Sequence, residues 1–453
     1  MKLNKCLLAL PLSLALLVPT AALADSHGSH STSNESAMES STATPAAELR
    51  ITLDTALTEH AFLAVETMRK GADGAEDFDQ ASAALLANSD DIAAAVTSVY
   101  GEEGGAAFLE IWNSHIGYFV DYVVATGEDN QEAKDQALAS LDEYKQEQAA
   151  FFDTATEGRL PADAVLEGLN MHVDQLVTAF DAYAAGDFEA AYTGERESIH
   201  HMSMFAESLS IAIADQFPDV FEETSPDTPA VDLRAQLNTT FTEHAGLAAM
   251  AMQDGADGAE SFEQASAALI ANADDLSAAV GSVYGEEAGA QFSEIWNSHI
   301  GYFVDYVVAT GEGDTAAQDQ AKADLDGYIV EQAALLDAAT EGRVPADALE
   351  EGLTAHVDQL LMAFDSYAAG DYETAYSSIR EAYAHMTMPA AGLSAAIVDQ
   401  FPEELGATEM PSEMPATGMG GTADSGTIPY LWILAGLMLA GLTTTLALRF
   451  RKQ

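Results

Sequence analysis

The chain contains the same sequence twice, and this duplication constrains its fold more than any other feature. The segment EIWNSHIGYFVDYVVATGE begins at Glu110 and recurs letter for letter from Glu294. Every histidine that the copies share recurs 184 residues later, so no net insertion separates the copies. We therefore predict two tandem domains of one fold, at about 49–221 and 231–405, joined by a linker at 222–230.

Apolar residues in both copies recur with the period of an α-helix, and strand-like alternation is missing. Breaks in this pattern divide each copy into about six helices; in the first copy they fall at 71–74, 100–105, 127–130, 158–161 and 186–187. We predict an all-α protein with two tandem homologous up-and-down helical bundles of about six helices each. A transmembrane helix is expected to follow them at the C-terminus.

The composition excludes several classes of partner and site. The 453 residues include 16 Lys+Arg and 74 Asp+Glu, which gives a formal net charge of −58. Such a charge repels nucleic acid, so no nucleic-acid partner is expected, and it suits a surface that stays hydrated in high salt. Because 48% of the residues are hydrophobic, the acidity does not indicate disorder. The only cysteine is Cys6, so thiolate metal sites are not expected in the mature domains.

Both ends of the chain carry targeting signals. Residues 1–24 have a basic start, an apolar run and a small-residue cleavage site, which predicts a secretory signal peptide followed by a disordered leader at 25–48. A stalk at 406–429 precedes an apolar span at 430–448 and a basic tail at 449–453. Since basic residues stay cytoplasmic, we expect a single-pass protein with its C-terminus inside and its repeats on the extracellular face of the plasma membrane or in the cell wall.

The pentapeptide Met414-Pro415-Ala416-Thr417-Gly418 lies just before this apolar span and basic tail. This arrangement resembles the LPxTG sorting signal of sortase-anchored surface proteins. The resemblance implies linkage to the cell wall through a sortase. The sequence departs from the family pattern by Met414 in place of leucine and by a long polar spacer at 419–427. A plain anchor in the cell membrane therefore stays as the alternative.

Each copy places one shared histidine on each of four predicted helices, always within an apolar stripe. His115, for example, has Trp112 three residues before it and Phe119 four residues after it, on the same helix face. Facing positions of this kind build ligand sites inside helical bundles. We therefore expect the four imidazoles of each copy to approach one another as metal ligands: His60, His115, His172 and His201, and their twins His244, His299, His356 and His385.

A methionine follows the last of these histidines by three residues in both copies, as Met204 and Met388. Imidazole combined with thioether suits copper, especially Cu⁺, so copper is the predicted ligand and both methionines are predicted site residues. Haem b with two axial histidines is the alternative cofactor. Cleavage after residue 24 would also leave Asp25-Ser26-His27 at the N-terminus, a set of nitrogen donors that suits Cu²⁺ and Ni²⁺.

Motifs of zinc peptidases, α/β-hydrolases and P-loop enzymes are absent from the sequence. The predicted role is therefore capture or buffering of a metal ion rather than catalysis. A run in the second copy, from SVYGEEAG through WNSHIGYFVDY to REAYAHM, resembles a helical domain of bacterial surface proteins labelled copper amine oxidase-like. That resemblance implies copper by association. A third interpretation is a structural or adhesive surface module whose histidines are hydrogen-bonded core residues.

Overall fold

The structure, a computed structural model, describes residues 41–405 of the chain. Helices make up nearly all of this range and it contains no strand, so the all-α class is confirmed. None of the helices between residues 41 and 405 is both long and apolar enough to span a bilayer. The predicted signal peptide, most of the leader, the stalk, the transmembrane helix at 430–448 and the basic tail lie outside the described residues.

The first repeat folds into five helices: α1 Pro45–Asp73, α2 Phe78–Gly127, α3 Gln131–Ala155, α4 Ala162–Ala184 and α5 Phe188–Gln216. Each helix packs against the next one along the chain, and α1 also packs against α5. Short turns join these helices, so the helices run up and down around one core.

The second repeat repeats this arrangement with more breaks: α6 Pro229–Asp257, α7 Phe262–Tyr284, α8 Glu286–Glu312, α9 Thr315–Ala339, α10 Ala346–Ala368, α11 Tyr372–His385, α12 Thr387–Gln400 and the single turn α13 Pro402–Leu405. The break between α7 and α8 falls at Gly285, with φ 96° and ψ 159°. Its twin Gly101 has φ 79° and ψ 174° and bends α2 instead of ending it. Both glycines therefore have φ and ψ in a region that essentially only glycine adopts.

The break between α11 and α12 has a different cause. Pro389 cannot donate an N–H, and its ring clashes with the carbonyl four residues before it, which belongs to His385. The twin of Pro389 is Phe205, and α5 continues through that position. Each repeat therefore has six long helical segments when α2 counts as two and α11 with α12 as one, in agreement with the predicted number.

The first helix begins before the predicted domain boundary. Pro45 occupies the first turn of α1, and the side chain of Thr44 accepts a hydrogen bond from the N–H of Ala47. Thr228 and Pro229 start α6 in the same way. The last four residues of the predicted disordered leader, 45–48, therefore belong to α1, because Thr44 and Pro45 form its N-terminus.

The two bundles pack against each other along α1 and α6. Asn238 Nδ2 donates to Asp54 Oδ2 over 2.7 Å, and these two residues occupy twin positions. Arg50 pairs with Asp232, and their twins, Arg234 and Glu48, pair across the same contact. The contacts between the two repeats are therefore reciprocal, as they are in an isologous dimer, although both repeats belong to one chain. Helices α1 and α6 are consequently buried on most sides.

Candidate metal centre

Three imidazoles converge in each repeat. His60 on α1, His115 on α2 and His172 on α4 each offer a ring nitrogen, and these atoms lie within 4.8 Å of one another. The Nε2 atoms of His115 and His60 are 3.3 Å apart. All three side chains are buried in the first bundle. The second repeat reproduces this trio with His244, His299 and His356.

A backbone contact fixes the protonation of His115. Its Nδ1 contacts the carbonyl oxygen of Trp112 and therefore carries the proton that is donated. The lone pair of His115 is then on Nε2, which faces His60. The ring of Tyr144 stacks on the His115 ring with 4.6 Å between centroids and holds its plane. Carbonyl oxygens orient metal-binding histidines in the same way.

His172 is the least satisfied member of the trio. It is 2% exposed, and neither of its ring nitrogens has a hydrogen-bond partner within the described part of the chain. Its twin His356 has the same burial and the same two unpartnered nitrogens. Leaving a buried polar group unpaired costs about 1–3 kcal/mol, and buried side-chain polar atoms are normally paired. A bound cation would give one of these nitrogens a partner.

The spacing of the nitrogens suits a single ion. Metal–nitrogen bonds of about 2.0–2.1 Å place two ligand atoms on a common ion about 3.3–3.6 Å apart. The 3.3 Å between His60 and His115 already matches this spacing. The third nitrogen, within 4.8 Å, would need to move by about 1 Å. Rotation of the imidazole ring of His172 supplies movements of that size.

Burial keeps the trio neutral. Burial, together with His115 and His172, lowers the pKa of His60 well below its usual value. Burial lowers the pKa of His115 to about 4, although the contact with Trp112 opposes this change. Burial and the neighbouring histidines likewise hold the pKa of His172 well below its usual value. Neutral imidazole is the form in which histidines ligate metal ions, and burial favours that form of the trio at neutral pH.

The fourth predicted histidine lies beside the trio but is used differently. Nε2 of His201 donates to the carbonyl oxygen of Gly168 over 3.0 Å, and its ring lies 6.4 Å from that of His172. His385 makes the same 3.0 Å bond to Gly352. The structure therefore brings three of the four predicted imidazoles together in each repeat, and the fourth makes a structural hydrogen bond.

The two predicted methionines are not part of this centre. Met204 is 58% exposed and Met388 is 55% exposed, so the expectation that they face the histidines is wrong. The buried stripe of α5 runs through His201, Met202 and Phe205. At 100° per residue, Met204 lies roughly 100° from the middle of that stripe, on the solvent side.

A different methionine pair lies near each trio. Met68 lines a cavity of about 20 Å³ together with His60 and His115, and Met252 lines the equivalent cavity beside His244 and His299. Each methionine follows its histidine by eight residues, a spacing that keeps both on one helix face. Eight residues also correspond to roughly 12 Å along the helix, so the methionine is at the far end of the cavity. In the sequence, Met68 and Met252 are marked by their conserved distance of eight residues from His60 and His244.

An amide and a carboxylate surround the trio on the outside. Asn88 is fully buried and opposes the lowering of the pKa of His60. Its Nδ2 donates to Glu59 Oε2 over 2.8 Å. Asn272 and Glu243 make the same contact over 2.7 Å beside His244. A buried carboxylate, Glu59 or Glu243, thus directly precedes one histidine of each trio.

A comparison of the chain with protein-family models, with curated proteins and with solved structures found no match.

Proposed function

We propose that each repeat binds one transition-metal ion through its three converging histidines, and that the protein captures or buffers this ion. The observation that carries the proposal is the convergence of three buried imidazoles in each repeat, whose ring nitrogens lie within 4.8 Å of one another. The same arrangement in both copies supports a shared ligand.

Copper is the metal we propose. Imidazole ligands suit zinc, copper, nickel and iron, and a nitrogen site of given geometry binds Cu²⁺ most tightly of the divalent ions in this series. The exposed positions of Met204 and Met388 remove the thioether argument for Cu⁺. The proposal therefore rests on three neutral imidazoles and on Cu²⁺, with Zn²⁺ as the competing ion.

The geometry favours an ion over haem b. A porphyrin ring extends sideways from its iron and needs an open slot around its two axial histidines, whereas His60 and His115 are buried among packed side chains. The adjacent cavity of about 20 Å³ has room for about one water molecule. A structural module without a ligand is the other alternative. Titration with metal ions and with haem distinguishes a metal site, a haem site and a module without a ligand.

We further propose that the repeats stand on the outer face of the cell, attached by the apolar span at 430–448 to the membrane or through the sorting-like pentapeptide to the cell wall. The basic residues after the span support this orientation. Protease added to intact cells should remove both repeats. Full protection of the repeats would contradict the orientation.

The test of binding is a titration of the full chain with Cu²⁺ and, separately, with Zn²⁺. His27→Ala is introduced first, because the predicted mature N-terminus would bind Cu²⁺ by itself. We expect two ions per chain, one per chain after His115→Ala, and none after His115→Ala with His299→Ala. An absorption spectrum with added haem is measured on the same samples.

The matched control is Met204→Ala with Met388→Ala, which changes the exposed methionines and should leave both ions bound. Unchanged stoichiometry after His115→Ala with His299→Ala would contradict the proposal. A Soret band that depends on these histidines would instead support haem. A parent protein that binds neither ion nor haem would support the structural module.

A further inference from the structure

Each histidine trio is connected to an arginine of the other repeat. Arg380, on α11 of the second repeat, donates from Nε to Glu59 Oε1 and from Nη2 to Glu59 Oε2, both over 2.9 Å. Glu59 lies on α1 of the first repeat, directly before the candidate ligand His60. The Nη2 of Arg380 also donates to Asp91 on α2 over 2.7 Å. A guanidinium that holds a carboxylate in two places fixes both its position and its orientation.

The contact is reciprocal. Arg196, on α5 of the first repeat, donates to both carboxylate oxygens of Glu243 over 2.9 and 3.2 Å and to Asp275 over 2.7 Å. These residues are the twins of Arg380, Glu59 and Asp91. Glu243 directly precedes the candidate ligand His244. Two copies of one contact therefore cross the interface in opposite directions.

The carboxylate held by the arginine lies next to a histidine of the trio along the helix. Glu59 and His60 are adjacent on α1, so their side chains point about 100° apart. Glu59 therefore faces the second repeat, whereas His60 faces the interior of its own bundle. Asn88 holds the same carboxylate from within the first bundle: its Nδ2 donates to Glu59 Oε2 over 2.8 Å and to the carbonyl of Ala56 over 2.9 Å. The arginine, the carboxylate and the amide thus form one connected chain.

We propose that Arg380 positions the metal-binding histidines of the first repeat and that Arg196 positions those of the second. The affinity of each repeat for its ion then depends on its contact with the other repeat, so the two sites are coupled through the interface. This inference rests on the proposed metal binding. Residues that orient ligands from outside typically change metal affinity about 10–100-fold when they are replaced.

The experiment measures Cu²⁺ affinity of the full chain carrying His27→Ala, by competition with a coloured chelator. His299→Ala leaves only the first site, and His115→Ala leaves only the second. Arg380→Gln should weaken binding at least about tenfold when only the first site is present, and should leave the second site unchanged. Arg196→Gln should give the opposite result. Arg380→Lys keeps the charge but loses the two-point contact, so it should restore only part of the affinity.

The matched control is Arg343→Gln, which removes a surface pair with Asp399 inside the second repeat. It should change neither affinity. Thermal unfolding without metal separates positioning from packing: Arg380→Gln and Arg196→Gln should each lower stability, yet weaken opposite sites. The inference would be overturned if either variant weakened both sites, weakened the site in its own repeat, or weakened neither site. Metal binding by the parent would still stand in each of these cases. A parent that binds no Cu²⁺ removes both proposals.

Discussion

At the scale of single residues, the candidate centre places three uncharged but polar rings in an apolar environment. Around His115 lie the rings of Trp112, Phe119 and Tyr144. Such surroundings keep the imidazoles neutral and leave three of their six ring nitrogens without a partner within 41–405. The metal-free fold therefore carries an energetic cost at these positions, which a bound ion would offset.

His172→Leu tests this cost directly. Removing a buried polar ring that has no described partner, and replacing it with an apolar side chain, should leave the metal-free stability unchanged or raise it by up to about 3 kcal/mol. Urea unfolding of the metal-free full chain gives the value. In the same variant the first repeat should no longer bind its ion.

The control is His201→Leu, which takes away the donor to the carbonyl of Gly168. It should lower stability by about 1 kcal/mol, as expected when one hydrogen bond is lost. If His172→Leu instead lowers the metal-free stability by several kcal/mol, His172 makes contacts that stabilise the fold, and its ligand role loses its main support.

The lowered pKa values also predict how stability depends on pH. In the unfolded chain a histidine titrates near pH 6.5, whereas burial lowers the pKa of folded His115 to about 4 and that of folded His299 to about 3. Below about pH 6.5 the unfolded state binds protons that the folded state does not. The free energy of unfolding should therefore be highest above that pH and fall as the pH drops towards about 4, by up to about 1.4 kcal/mol per pH unit for each such histidine.

Urea unfolding of the metal-free protein at several pH values between about 5 and about 8 measures this slope. The variant with His115→Leu and His299→Leu should show a slope smaller by up to two protons. An identical slope in parent and variant would mean that these histidines titrate alike in the folded and unfolded states.

At the scale of helices, two glycines decide how the second helical segment of each repeat is built. Gly101 bends α2 and Gly285 separates α7 from α8, both with positive φ. An alanine at either position would have to adopt a conformation that costs about 1–3 kcal/mol. We therefore expect Gly101→Ala to lower the melting temperature clearly, measured by circular dichroism.

Gly117→Ala is the matched control on the same helix. Gly117 is helical, and a Cβ added there meets no described atom within 4 Å. Alanine should be neutral or stabilising at that position by about 0.5–1 kcal/mol. Equal effects of both substitutions would mean that the bend at Gly101 is not needed for the fold.

Helical periodicity was sufficient to predict the helices and the inward position of all four histidines of the first repeat, because burial of a helix face follows from residue spacing. It failed at Met204, since a position three residues from a buried one can lie beyond the edge of the buried stripe. It also could not separate His201 from the trio, because the bond to Gly168 depends on how α4 and α5 pack. The contact between Arg380 and Glu59 joins residues 321 positions apart, and spacing along a helix carries no signal of it.

At the scale of the whole molecule, the interface makes the two repeats unequal although their sequences are alike. Arg69 pairs with Glu66 and with Asp254 in a buried cluster. The twins of Arg69 and Asp254 are Gln253 and Lys70, so the mirror-image contact is absent between the described repeats. Buried ion pairs add little net stability, but breaking one by removing a partner costs about 3–5 kcal/mol. This cluster therefore favours a single arrangement of the two copies.

The shared interface predicts that both repeats unfold together. Phe62 of the first repeat stacks on Tyr383 of the second and also packs against Gly246, so unfolding either bundle exposes apolar surface on the other. Leu141→Ala, a fully buried position in α3, should destabilise the first repeat by about 2–5 kcal/mol. We expect the second repeat to lose its structure at the same, lower urea concentration.

Tryptophan fluorescence can follow each repeat separately. With Trp432→Phe in every sample, Trp296→Phe leaves Trp112 as the reporter of the first repeat, and Trp112→Phe leaves Trp296 as the reporter of the second. Leu141→Ala should shift both reporters to one common midpoint, and so should the twin substitution Leu325→Ala, also at a fully buried position. A shift confined to the reporter of the substituted repeat would show that the bundles unfold independently. In that case the interface is too weak to couple the two histidine sites.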